Sequence, residues 1–289
     1  MTRILAFFAH PDDETFGIGG TMALYADAGH EVKVVCATDG DSGLNRINEH
    51  DTEHLNEMRV EELRAACRQL GIAEPILLGY RDSGMAGTPE NDHPDSLHQA
   101  NIDEVVERFV QIMRAEQPDA VITFDSTGWY GHPDHLKVYE AVRLLYARLE
   151  DEDLPPLYLA CFAAEAARYT AKVLEEAGEE VPNTFRDRTR MRYSVDVIPI
   201  VVDTSSVAQK KIAALNEHKT QMGPTGIEGR FPPEILKVRT EREYFMTAEH
   251  HDALPEVGEF TRYGGLFGEP SPEPLLPFPI IPDDEPSDT

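Results

Sequence analysis

The chain has 289 residues, 41% of them hydrophobic, enough to bury a full α/β core. Acidic residues number 53 against 26 basic ones, a net charge of −27 that repels phosphate backbones and argues against nucleic acid as a partner. No apolar run reaches the ~18 residues of a membrane span, and Met-Thr-Arg followed at once by a β-like run lacks a signal-peptide layout, so a cytoplasmic protein is expected.

In chain order, residues 3–9 (Arg-Ile-Leu-Ala-Phe-Phe-Ala) read as a buried strand, 19–28 as a helix closed by Gly29, and 32–37 as a second buried strand. Residues 53–70 form an amphipathic helix with apolar positions at 55, 58, 63, 66, 67 and 70, closed by Gly71. Residues 75–78 are a third strand, 102–116 a helix, 120–124 a fourth strand and 135–149 a helix. Further strands are expected near 157–163 and 197–202, and a helix over 205–221. Alternating strands and helices predict an α/β fold: a Rossmann-like, mostly parallel sheet with helices on both faces and the active site at the carboxyl ends of the strands. Two long loops, 39–51 and 81–98, fall at such ends. The expected division is a domain over 1–267 and a tail over 268–289, with seven prolines, docked at most by Leu275, Phe278 and Ile280. Cys36, Cys67 and Cys161 form no C-x-x-C pair; Cys36 and Cys67 read as core residues.

Two stretches carry the chemistry. His10-Pro11-Asp12-Asp13-Glu14 follows strand one directly, and Gly131-His132-Pro133-Asp134-His135 follows strand four. Strands one and four are neighbours at the switch point of a doubly wound sheet, so both motifs should meet in one crevice. Imidazole and carboxylate suit zinc or iron, and a catalytic ion needs three protein ligands and an open position. His10, Asp12, Asp13, Glu14, His132, Asp134 and His135 are the candidates. The bland reading of Asp13 or Asp134 alone is a helix cap.

These two motifs resemble those of the LmbE-like (PIG-L) N-acetylglucosaminyl deacetylases, over about residues 3–265. The resemblance implies that His10, Asp13 and His135 hold one divalent ion, zinc first and ferrous iron also fitting. It implies that Asp12 is the general base, and His132 a general acid or oxyanion stabiliser whose orientation Asp134 supports. It also places Tyr130 against the reacting carbonyl. The stretch Tyr80-Arg81-Asp82-Ser83-Gly84-Met85-Ala86-Gly87-Thr88 is similar to a loop of family members that deacetylate GlcNAc-inositol for mycothiol, which implies that Asp82 touches substrate hydroxyls. Arg59 falls where those members have a substrate-contacting arginine. The bland alternatives are an Asx-turn for Asp82 and a surface ion pair with Glu57 or Glu62 for Arg59.

The implied partner is a small N-acetylated sugar, with no nucleic acid or membrane; homo-oligomerisation stays open. Related amidases of thiol conjugates and the GlcNAc-malate deacetylase share the core motifs and remain alternatives. A nucleotide-binding protein is disfavoured, because Phe16-Gly17-Ile18-Gly19-Gly20 does not match G-x-G-x-x-G. A non-catalytic Rossmann-like binding protein is the remaining class, and the full ligand set argues against it. His218 reads evenly as a packing or substrate-edge residue or as one with no role. The adjacent His250 and His251 cannot both face one metal, and His30, His50, His54, His93 and His98 read as solvated, with the loop positions able to reach substrate.

Overall fold

The computed structural model describes residues 1–43, 45–48, 53–181, 193–253, 261–271 and 276–277. Its strands are β1 (Arg3–Phe8), β2 (Glu31–Thr38), β3 (Ile76–Tyr80), β4 (Ala120–Phe124), β5 (Leu157–Cys161), β6 (Ile200–Asp203) and β7 (Arg242–Thr247). They form one sheet in the order β3-β2-β1-β4-β5-β7-β6. The first five positions pair in parallel, whereas β7 runs antiparallel to both β5 and β6. All of β4, and all of β1 except Arg3, is buried, which a strand achieves only with both faces covered.

The principal helices are α1 (Asp13–Asp27), α2 (Leu55–Leu70), α3 (Ile102–Glu116), α4 (Gly128–Gly131), α5 (Pro133–Arg148), α6 (Ala164–Glu176) and α7 (Ala208–Glu217). Helices α1, α2 and α7 pack together as one group, and α3 with α5 as another. The expected neighbours β1 and β4 do pair, Ile4 opposite Ala120, so the segments that follow them emerge side by side.

Helix α1 departs from expectation. It starts at Asp13 rather than Gly19 and is broken at Ile18 (φ −136°, ψ 18°). The break leaves the Phe16 carbonyl and the Gly20 and Thr21 amides without helical partners. Two buried side chains take them. Glu243 accepts from Gly20 N at 2.8 Å and Thr21 N at 2.7 Å, and Lys211 Nζ reaches Phe16 O at 3.4 Å and Glu243 Oε1 at 2.6 Å. Gly17 and Gly20 are there for close approach: a Cβ at Gly17 would lie 2.4 Å from Trp129, and one at Gly20 would lie 2.5 Å from Thr204. Gly17→Val is therefore expected to destabilise the protein by about 1–3 kcal/mol through overpacking. A urea midpoint equal to wild type would refute the close packing of Trp129 on α1.

The carboxyl-terminal region is partly integrated. Tyr25 Oη donates to Glu269 at 2.8 Å, and Leu276 is buried in a small cluster with Tyr193 and Met246. The proposed anchors Leu275, Phe278 and Ile280 lie outside the described residues.

Candidate metal centre

The first motif is folded by its own carboxylates. Asp13 Oδ2 accepts from the backbone amides of Ala9 (3.2 Å) and His10 (2.7 Å), closing the turn between β1 and α1. Asp12 stands at the entry to α1 with φ 145° and ψ −25°, a region that side-chain-bearing residues avoid at a cost of about 1–3 kcal/mol. Neighbours on two sides hold it there. Glu14 Oε2 accepts from Asp12 N at 3.0 Å, and Arg59 donates to Pro11 O at 2.9 Å while its NH2 lies 3.2 Å from Asp12 Oδ2. Burial pushes the Asp12 carboxyl up to about 6, with the Arg59 charge opposing.

The second motif opens α5 at Pro133, two residues before the expected start. His132 is the N-cap, its Nδ1 accepting from Asp134 N at 3.2 Å. An accepting Nδ1 places the proton of a neutral ring on Nε2, and burial, then His10 and His135, push His132 down to about 2. His135 Nδ1 meets Gly128 O at 3.2 Å, and His10 Nε2 meets Asp134 Oδ2 at 3.1 Å. Those contacts assign the protons and leave His10 Nδ1 and His135 Nε2 as acceptors.

These two nitrogens face one another at 3.1 Å, with Asp13 Oδ1 3.2 Å from His135 Nε2 and Asp13 Oδ2 3.4 Å from His10 Nδ1. Two imidazole lone pairs at that separation repel unless a cation lies between them. Ligands about 2.0–2.2 Å from a tetrahedral ion sit at such mutual spacings. The donor set therefore fits a divalent ion. Ligand atoms of His10, His132 and His135 also lie within 4.8 Å of one another, as do those of His10, Asp82, His132 and Asp134.

The other expected site residues are placed as follows. Asp134 meets His132 through its backbone amide, with its carboxylate Oδ2 3.9 Å from His132 Nδ1, and the same Oδ2 lies closer, 3.1 Å, to His10 Nε2. Asp82 is buried and makes the Asx-turn to Gly84 N (2.9 Å), yet it also faces the centre, Oδ1 lying 3.5 Å from His10 Nε2 and 4.0 Å from His132 Nε2. Burial would raise the Asp82 carboxyl, but His10 and the Gly84 amide hold it well below the usual range. Arg59 is neither on the surface nor paired with Glu57 or Glu62. It is 3% exposed, and its guanidinium binds Pro11 O, Gly40 O and Asp12, an arrangement in which it positions the first motif. Tyr130 is half-buried, its ring 5.0 Å from that of His135. Glu14 points away from the centre to His218 Nε2 at 2.9 Å, and both are fully buried.

Ser83 is a residue the sequence reading passed over. It is fully buried and donates its amide to Asp134 Oδ2 at 2.9 Å and its hydroxyl to Asp134 Oδ1. The stretch 80–88 was legible as a unit, but nothing in it ranks Ser83 beside Asp82. Of the two histidines read as unable to share a metal, His250 Nε2 meets Val197 O at 2.9 Å, and His251 Nε2 meets Ser126 Oγ at 2.9 Å and Tyr193 Oη at 3.1 Å. A cavity of about 280 Å³ opens beside Asp12 and Asp13, walled by Phe16, Trp129, Tyr130 and Phe162.

Residues 5–146 match the PIG-L family, described as GlcNAc-PI de-N-acetylase. The chain is 35% identical to a 1D-myo-inositol 2-acetamido-2-deoxy-alpha-D-glucopyranoside deacetylase of Geodermatophilus obscurus, covering 92% of this chain and 98% of that protein. Its fold is similar to that of the N,N'-diacetylchitobiose deacetylase of Pyrococcus horikoshii, with a TM-score of 0.55, 21% identity, and coverage of 89% and 87% of the two chains. It is also similar to that of a 4-carboxy-2-hydroxymuconate hydratase of Pseudomonas putida, with a TM-score of 0.54, 19% identity, and coverage of 90% and 99%. That fold therefore does not by itself choose between amide hydrolysis and hydration. Among the described residues, no helix is long and apolar enough to cross a membrane.

Proposed function

The chain belongs to the PIG-L family of N-deacetylases, and from that premise we propose that it hydrolyses the N-acetyl group of a GlcNAc-type sugar, GlcNAc-inositol first. The observation that carries this reading is the convergence of His10 Nδ1, His135 Nε2 and the Asp13 carboxylate at 3.1–3.4 Å, with Asp12 alongside. The arrangement is read as Rossmann-like, with the active site at the carboxyl ends of β1 and β4, in a cytoplasmic enzyme.

In this mechanism His10, Asp13 and His135 hold one divalent ion, zinc by choice of ligands and ferrous iron as the alternative. When bound, that ion supplies Lewis acidity for the acetyl oxygen and makes water ionisable near neutral pH, at a pKa of about 7. Asp12 accepts the proton of the attacking water. Arg59, fixed on Pro11 O and Gly40 O, keeps that carboxylate aimed. His132 presents its Nε2–H as a neutral donor toward the developing oxyanion, and Tyr130 is the second donor proposed for it. The leaving amine takes its proton from Asp12 after the first transfer, because a neutral His132 would have to become an imidazolate to give its own. Asp134 and Ser83 lock the His10 tautomer, and Asp82 is left to accept from sugar hydroxyls.

The test is direct. Purified protein should hold close to one divalent ion per chain and release free amine from GlcNAc-inositol. Removal by a chelator should abolish turnover, and readdition should restore it. Full activity in protein shown to be metal-free would sink the mechanism. Faster release from GlcNAc-malate or from a thiol conjugate would reassign the substrate within the family and leave the chemistry standing.

A further inference from the structure

His218 lies outside the metal centre and is not among the residues that wall the cavity beside it. It directly follows α7, and its ring is fully buried. Nδ1 has no hydrogen-bond partner among the described residues, so the ring bonds through Nε2 alone. Nε2 lies 2.9 Å from Glu14 Oε1. A carboxylate only accepts, so His218 donates here, and Thr15 Oγ1 donates to the same oxygen. Glu14 Oε2 accepts from Asp12 N at 3.0 Å. Among the described residues, His218 is the one basic side chain within 4.0 Å of the Glu14 carboxylate. The ring is itself fixed from α2. The Glu62 carboxylate accepts from Thr220 N at 2.9 Å and from Thr220 Oγ1 at 2.6 Å, tying the turn Lys219–Met222 to that helix. Helix α2 also carries Arg59, which grips Pro11 O and the Asp12 carboxylate. One helix therefore steadies Asp12 by two routes, directly through Arg59 and indirectly through His218 and Glu14.

We propose that His218 is a positioning residue for the hydrolysis: through Glu14 it holds the Asp12 backbone in its left-handed conformation and keeps the base aimed at the attacking water. A side-chain-bearing residue stays at φ 145° only where its surroundings over-determine it. Without the ring, Glu14 Oε1 keeps only the Thr15 hydroxyl, and the carboxylate is free to turn away from the Asp12 amide. The peptide between Pro11 and Asp12 then relaxes, and the Asp12 carboxylate moves with it. A misplacement of about 1 Å costs up to roughly 10²-fold in rate. His218 makes no hydrogen bond to His10, Asp13 or His135, so its removal leaves the bound metal in place. The inference rests on the assignment of Asp12 as general base.

The experiment compares His218→Gln, His218→Asn and His218→Ala as zinc-loaded proteins acting on GlcNAc-inositol, under conditions where urea unfolding shows each variant folded. A glutamine amide stands where Nε2–H stood and can donate to Glu14; asparagine is too short to reach it. His218→Ala and His218→Asn should each lower kcat by roughly 10- to 10²-fold, with KM little changed and one ion per chain retained. His218→Gln should recover most of that loss. Should the alanine variant fail to fold, the contrast between glutamine and asparagine carries the test. Equal kcat for those two, or a loss of kcat that merely follows loss of metal, overturns the proposal. Asp12→Asn is run beside them. Wild-type turnover in that variant would remove the base itself, whereas its collapse beside a flat His218 series removes only the role of His218.

Discussion

His135→Ala is expected to lose bound metal and activity together, whereas His132→Ala keeps the metal and loses only turnover. His135 is one of three residues whose ligand atoms approach one another at 3.1–3.4 Å, and Ala leaves two ligands where three are needed. Affinity should fall by more than roughly 10²-fold, since even an outer-shell partner costs 10–100-fold. His132 caps α5 through Nδ1 and aims Nε2–H inward. Its removal should change KM little and cost about 10²–10³ in kcat. Asp12→Asn should also retain metal while turnover collapses, because an amide is no base. Metal stoichiometry and kinetics on all three variants decide the matter. If His132→Ala loses metal and His135→Ala keeps it, the two assignments are exchanged. If both keep metal and normal rates, the second motif is structural.

The second large effect is on stability. Lys211 and Glu243 are 1% and 2% exposed and joined at 2.6 Å. Lys211→Met strands a buried carboxylate that still carries the Gly20 and Thr21 amides, and the expected cost is about 3–5 kcal/mol. The double variant Lys211→Met, Glu243→Gln should lose less than the sum of its parts, since no charge is left unpaired and the glutamine oxygen can still accept from one of those two amides. Urea unfolding of the single and double variants checks this. Additive losses would mean that the pair does not act as a unit.

Much of the frame was legible because its signals are local. The apolar runs of β1 and β4 announce strands buried on both faces, and the motifs directly after them announce a meeting point. What was missed is tertiary. The helix was expected to begin at Gly19, but it begins at Asp13 and carries Gly17 and Gly20 because Trp129 and Thr204, distant in sequence, require both to be small. Strand β7 went unseen because it begins Arg242-Glu243, and those charges are buried only because Asp203 and Lys211 meet them. The position of Arg59 was flagged, yet its partners Pro11 O and Gly40 O are backbone atoms that no side-chain pattern reveals. The resemblance placed Asp134 beside His132; what it did not reveal is that the fold also turns the Asp134 carboxylate across to His10, 124 positions away.

The break in α1 bears on the order in which the molecule is made. The groups that stabilise it come from α7 and β7, near residues 211 and 243, while the turn it supports carries Asp12 and Asp13. A nascent chain that has not yet released Glu243 from the ribosome has nothing to cap Gly20 and Thr21. A continuous, unbroken α1 then competes with the native one. The motif synthesised first is therefore expected to mature among the last, and ion capture by His10, Asp13 and His135 to follow release of the chain rather than guide its early folding.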